Sequence, residues 1–358
     1  MISGLLLALA ACGSSTTMKP SAQEGAGTLG KDFNEIVERA KQEGIVNWWG
    51  NIPNVNQMAE LEKAFNKRFN SKIKVEQLAI HNNEMGSKLA TEKTSGKHTA
   101  DIVSGSENSF VPWVEEGFLQ KIDYVNLFGK DLPGVNEAAD HVFTPFKGYG
   151  LEYVHLFYCI VYNTKLISEK ELPKKWEELA DPKWTGQIAV DPSMVAFVRL
   201  GKTIGEEATL DLAKRFLDNK PIFGANSPGT LQKVVTGEAK MGTVTTNVVL
   251  DQKAKGAPVD FVYLQPLGSA ASQSIGMAIG APNPNAAALF SAWMASNEAM
   301  EIMSKFGTGR VRVDVPGADG AYLKKHNLGN PPRLMTLEDL KVEEKLRKKL
   351  IEMAAGKK

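Results

Sequence analysis

Ser104, Ser106, Ser193, Asn226, Ser227, Thr245 and Asn247 each stand at or just past the end of a short apolar run, where a hydroxyl or amide group can hydrogen-bond a polar molecule. Asn51 follows the run Ile45 to Trp49 in the same way, and Tyr158 opens another. These are the groups of a binding pocket rather than of a catalytic centre. No Gly-x-Ser-x-Gly occurs, so the serines lack the strand-turn-helix setting of an activated nucleophile. The five histidines (His81, His98, His141, His155, His326) have no metal-ligand spacing. Gly25-Ala26-Gly27-Thr28-Leu29-Gly30 spells a dinucleotide pattern with no strand before it, and Gly201-Lys202-Thr203 lacks the first glycine of a phosphate loop because Ala196 stands there. The sequence points away from an enzyme and requires no cofactor.

Several candidates also have a purely architectural alternative. Trp49 offers a wall on which a ligand can stack, or it packs with Trp48 in a core buried on both faces. Ser104 and Ser106 flank Gly105, whose bare backbone can offer amides to an anion, or the three form a plain turn. Ser193, after Asp191-Pro192, fits the N-cap of a helix whose N-terminus would suit phosphate or carboxylate, or it only caps. Tyr158 reaches the pocket or packs beside it.

The elements that position these residues alternate regularly. A helix with Phe33, Ile36, Val37 and Ala40 on one face is capped by Asp32 and closed by Gly44. Strands follow at 45–49, 73–78 and 100–103, with helices between them, and the pattern recurs around 160–162, 188–190, 221–223, 240–244 and 274–279. This is an α/β chain with two halves, each a mostly parallel sheet whose strand ends are rich in Ser, Thr and Asn. Thr336-Leu337-Glu338-Asp339 resembles a capping box ahead of a helix with a Leu346/Leu350 stripe.

With 358 residues, 43% of them hydrophobic and 23% charged, the chain is long enough for two globular domains. A formal charge of +1 supplies no strong field for nucleic acid, so none is expected as a partner. Leu5 to Ala11 is too short to span a bilayer and ends in small residues before Cys12, as in a lipobox. Residues 1–11 therefore read as a lipoprotein signal peptide, Cys12 as the lipidated residue, and 12–30 as a flexible tether to the outer face of the cytoplasmic membrane. The expected Lys or Arg is missing between Met1 and Ser3, which leaves open a start further upstream. Cys159 lies in an apolar strand without a disulfide partner and reads as a buried, inert thiol.

Tyr162-Asn163-Thr164-Lys165-Leu166, Pro173 with Trp176-Glu177-Glu178-Leu179, and Asp181-Pro182-Lys183-Trp184 with Gly186 occur in that order. Gly237-Glu238, Gly256-Ala257-Pro258-Val259 and Ala281-Pro282-Asn283-Pro284-Asn285-Ala286-Ala287 follow. On these pieces, most of residues 44 to 312 resemble an extracellular solute-binding protein of an ABC importer, in the branch that includes ferric-iron, phosphonate and organophosphate binders.

The resemblance implies a two-lobed periplasmic-binding-protein (type II) clamp joined by a crossover hinge. Lobe I is expected at 31–157 with 270–358, and lobe II at 158–269. It implies a monomer that closes on a small-molecule solute and delivers it to permease transmembrane subunits served by separate ATPase subunits. Ferric-binding relatives grip the metal with adjacent tyrosines just after the Gly-Glu motif; here that segment is Thr243-Val244-Thr245-Thr246-Asn247, and none of the seven tyrosines is adjacent to another. The favoured solute is an organic or phosphorylated anion. The alternatives are ferric iron or an iron chelate, and a ligand-sensing lipoprotein without a transport role.

Overall fold

The computed structural model describes residues 27–310, 313–314, 317–334 and 336–357. The expected signal peptide, Cys12 and most of the tether lie outside the described residues.

The described residues form ten strands in chain order, with helices between them except from β4 to β5 and from β9 to β10: β1 (Ile45–Trp49), β2 (Lys74–Leu78), β3 (Ile102–Ser106), β4 (Leu151–Leu156), β5 (Tyr158–Asn163), β6 (Ile188–Val190), β7 (Ile222–Phe223), β8 (Met241–Thr245), β9 (Val259–Val262) and β10 (Ala271–Met277). They form two five-stranded sheets of order β2-β1-β3-β10-β4 and β7-β6-β8-β5-β9. In each sheet four strands run the same way and the fourth in order, β10 or β5, is antiparallel to both neighbours. This is the two-lobed α/β architecture expected, each sheet flanked by helices.

The local signals act as anticipated at several points. Asp32 accepts a hydrogen bond from the Glu35 amide at the start of helix Phe33–Glu43, and Gly44 ends it at φ 70°, a conformation free of Cβ strain only for glycine. The first sheet is buried on both faces. Trp48, Phe65, Phe290 and Trp293 fill the core on one side, while Trp49, Met85, Val103 and Trp113 fill the other.

Two expectations require correction. Ser104, Gly105 and Ser106 do not form a turn after a strand ending at 103; they are strand residues paired with Ile275, Ser274 and Gln273. Their pairing comes from a distant antiparallel partner, which the local Gly and Ser content hides.

The tail, assigned whole to lobe I, packs largely on lobe II. Helix Ala318–Lys325 lays Tyr322 and Leu323 against the core around Val161, Val244 and Phe261. Helix Leu337–Ala355 buries Leu346, Leu350 and Ala354 among Phe197, Leu200, Leu212 and Phe216. Its apolar stripe fits the groove between helices Val195–Ile204 and Glu206–Asp218, where a Cβ on Gly201 would overlap the Leu346 side chain.

Candidate functional site

The chain passes from β4 to β5 through Phe157 and from β9 to β10 through residues 263–270. β4 and β9 end where the antiparallel strands β5 and β10 begin. Both crossovers therefore join the carboxyl ends of the parallel strands, and these ends of the two sheets converge on the hinge, where a doubly wound sheet binds its ligand.

On the first lobe the site begins after β1. Gly50 lies so close to Trp48 and Ser104 Oγ that any Cβ would overlap them. The loop beyond it is held by Gln77 Nε2, which donates to Gly50 O at 2.9 Å and Pro53 O at 2.8 Å, and by Tyr153, which donates to Ile52 O at 2.7 Å. Asn51 is exposed in this loop, as is Asn54 at its end.

Ser106 Oγ lies 3.3 Å from both Asn82 Nδ2 and Ser109 Oγ. This joins the starts of helices Asn82–Ser95 and Glu107–Glu115. Two candidates leave the site. Trp49 is only 4% exposed and has the Lys88 ammonium 4.7 Å from its ring centre, so it is a core side chain and not a wall. Ser104 is buried and accepts a 3.0 Å hydrogen bond from Trp48 Nε1, which commits it to the core.

On the second lobe Tyr158 and Thr245 are register partners at the ends of β5 and β8. Burial pushes the Tyr158 hydroxyl up to about 12 against the opposing pull of Arg199. Ser193 is not the N-cap: Asp191 Oδ1 accepts its amide at 2.8 Å and its hydroxyl at 2.7 Å, and the helix is instead capped by Met194 at φ 51°. Asn226 caps helix Ser227–Val235 by accepting from the Gly229 amide. Ser227 Oγ and Asn247 Oδ1 are buried with no protein partner among the described residues. A buried polar atom left so costs about 1–3 kcal/mol, which a bound solute or water can recover.

Thr246 is taken up structurally. Its hydroxyl lies 2.7 Å from Tyr263 Oη and 3.2 Å from Phe157 O, fixing the start of helix Thr246–Ala254 to the crossover. Tyr263 donates in turn to Asp319 Oδ1. Burial pushes the Asp319 carboxyl up to about 6. A carboxyl raised above its unfolded value contributes stability that is full below pH 4 and lost as pH rises through 6. Asp319→Asn is therefore expected to gain about 1–3 kcal/mol relative to the natural chain between pH 4.5 and pH 7, read as the difference between urea midpoints at the two pH values.

Arg199 is the residue that sequence patterns missed. It interrupts the apolar helix Val195–Ile204 and is 5% exposed between the lobes. Its guanidinium lies 3.7 Å from Glu107 Oε2 of the first lobe and 3.0 Å from Glu343 Oε2 of the C-terminal helix. Burial opposes its charge, but the two carboxylates outweigh burial and hold its pKa above the ordinary value. A lone basic residue among Val195, Phe197, Val198 and Leu200 was the available signal.

The scattered histidines partly converge as well: His141 Nδ1 and His155 Nε2 lie 2.9 and 2.8 Å from Glu152 Oε1, and Arg333 pairs with Oε2. Among the described residues no group of three or more His, Cys, Asp or Glu side chains is placed to hold a metal ion. No helix among them is long and apolar enough to cross a membrane.

Known proteins are similar to this chain in sequence and in fold. A Serratia marcescens Fe(3+)-binding periplasmic protein is 23% identical over 328 residues, 88% of this chain and 86% of that protein. The iron-bound HitA structure from Pseudomonas aeruginosa superposes with a TM-score of 0.65 at 20% identity, covering 86% of this chain and 99% of the other. The spermidine/putrescine ABC transporter substrate-binding protein PotD from Streptococcus pneumoniae gives 0.62 at 15% identity, covering 87% and 99%. The sequence profile of the family described as bacterial extracellular solute-binding protein matches residues 60–326. The chain belongs to the bacterial extracellular solute-binding proteins.

Proposed function

We propose that this binding protein captures a small organic or phosphorylated anion between its lobes and presents it to the importer's permease. One observation carries the choice of solute. In the second lobe, the helices starting at Val195 and Thr246 have neither a side-chain cap nor an acidic residue in the first turn. Helices elsewhere are capped by Asp32, Asn54, Ser296 and Thr336, or, where uncapped, carry an acidic residue in the first turn or, at Pro284–Met294, give their first amides to the Glu43 carboxylate. Both uncapped starts follow the carboxyl ends of strands, β6 and β8, and leave amide donors and a positive dipole end toward the hinge. Asn51, Ser106, Tyr158, Ser227, Thr245 and Asn247 supply the neutral hydrogen bonds around them.

A thermal-shift screen over organic acids, phosphonates, sugar phosphates, polyamines and ferric iron tests this. A solute present at one hundred times its dissociation constant adds about 2.7 kcal/mol to the folded state and raises the melting temperature accordingly. The expected hit is an anion that works in the presence of chelator. A shift with ferric iron alone, abolished by chelator, would replace the anion with iron. Relatives named for iron are what favour that second reading; against it stands the segment Thr243-Val244-Thr245-Thr246-Asn247, which carries no tyrosine and whose Thr246 is committed to Phe157 and Tyr263.

The anchor reading rests on Cys12. Cys12→Ser is expected to abolish incorporation of labelled palmitate and to move the protein from the membrane fraction to the soluble fraction. Retention of label in that variant would refute it.

A further inference from the structure

The tail beyond residue 317 touches the lobes alternately. Helix Ala318–Lys325 belongs to the second lobe. Arg333 then pairs with the buried Glu152 of the first lobe. Leu334, Leu337 and Leu340 join Val142, Phe143 and Phe146, with Val111 and Val114 of helix Glu107–Glu115, in a small apolar seam on that same lobe. Six residues after Leu340 the helix is packed on the second lobe, where Leu346, Leu350 and Ala354 are fully or nearly fully buried. Lys202 and Lys349 bind the same helix to the second lobe through Asp339 and Glu206, at 2.5 and 2.6 Å.

At the point where the helix changes lobes, Glu343 meets Arg199, and Arg199 meets Glu107. All three side chains are less than a tenth exposed. Glu107 is itself held by the Ser272 amide and hydroxyl at 2.9 and 2.7 Å, beside the second crossover.

We infer that helix Leu337–Ala355 is a strap across the hinge, and that the Glu107–Arg199–Glu343 clasp with the Leu334/Leu337/Leu340 seam sets the angle between the lobes. This rests on the two-lobed capture reading and adds a control to it. Rotation of the lobes has to peel the seam or open the clasp, because the three buried leucine and alanine anchors fix the other end of the helix. The seam is the weaker attachment, since Leu337 and Leu340 are only partly buried. Arg199 is a positioning residue in this scheme: it acts on the solute through the lobe angle.

A groove of about 630 Å³ reports the strap's position, with Asn108, Val111 and Glu115 of the first lobe on one wall and Lys348 and Ile351 of the helix on the other. Spin labels at Glu115→Cys and Lys348→Cys in a Cys12→Ser background measure its width without any solute; Cys159 is buried and does not compete. Glu107→Gln keeps the acceptor for Ser272 but removes the charge facing Arg199, and Leu340→Ala thins the seam. Each is expected to lengthen and at least double the spread of the label distance while the melting temperature falls by only a few degrees. Leu350→Ala, a core change in the second lobe, is expected to lower the melting temperature more and leave the spread unchanged in the folded protein. A label distance identical to the natural chain's in both Glu107→Gln and Leu340→Ala overturns the strap. Failure of every solute in the thermal-shift screen would not, since the distance is measured on the empty protein.

Discussion

Glu152→Gln is expected to remove about 3–5 kcal/mol of stability, the cost of leaving the Arg333 guanidinium without its buried counter-charge. The carboxylate is 2% exposed and meets His141, His155 and Arg333 at once. Burial by itself would raise its pKa, but His155, His141 and Arg333 outweigh burial and hold it well below the usual carboxylate range. The sign follows from that direction. A carboxyl depressed in the folded state contributes stability that is present above its unfolded pKa, near 4.5, and is lost as pH falls through the folded value. The natural chain should therefore lose stability on acidification below about pH 4.5 more steeply than the Gln variant, so the gap between their urea midpoints narrows at low pH. A gap that stays constant from pH 7 to pH 3 would show that the cluster is held by shape and neutral hydrogen bonds. Since Arg333 is the first residue of the tail to return to the first lobe, the same variant is also expected to speed hydrogen exchange in the segment after it.

Trp48→Ala should be comparably severe, at about 3–5 kcal/mol, and should act through the first lobe. The ring is fully buried against Tyr153 and Phe290, with centroids at 6.1 and 6.2 Å. Its indole N–H is also the donor that occupies Ser104 Oγ. Trp48→Phe separates the two contributions: the ring is largely kept and the hydrogen bond lost, for about 1–3 kcal/mol. If Ser104 were a solute ligand, Trp48→Phe would alter affinity; a core role predicts lower stability with affinity unchanged among folded molecules. Thermal unfolding and a titration with whichever anion the screen identifies decide between them.

The sequence patterns were most informative where structure is local. The cap at Asp32, the αL stop at Gly44 and the stripes of the main helices depend on neighbours within a turn or two, and they fold as read. Ser104-Gly105-Ser106 was misread because what makes it a strand is β10, far along the chain. Ser193 lost its capping role to a similarly hidden cause, the Asp191 carboxylate that takes both its amide and its hydroxyl. Trp49 could not be assigned from sequence because adjacent strand residues point to opposite faces, and only the presence of helices on both faces makes Trp48 and Trp49 core together. Arg199 has no local signature beyond being a lone basic residue in an apolar helix, since both its partners come from other parts of the fold.

The placement of β10 between β3 and β4 has a temporal meaning. Until residues 271–277 are available, β4 has no neighbour in the first sheet and the sheet remains split into β2-β1-β3 and a single unpaired strand. The strands of the second sheet, by contrast, all lie within one continuous stretch, 158–262. During synthesis the earlier half of the chain must wait for the later one, and non-local pairing of this kind is slow. A chain ending at residue 270 holds all five strands of its second sheet but lacks the tail helices that complete that lobe's core, and its first 150 or so residues are expected to stay protease-sensitive, so the order in which the polypeptide emerges delays formation of the clamp until nearly the whole chain has been made.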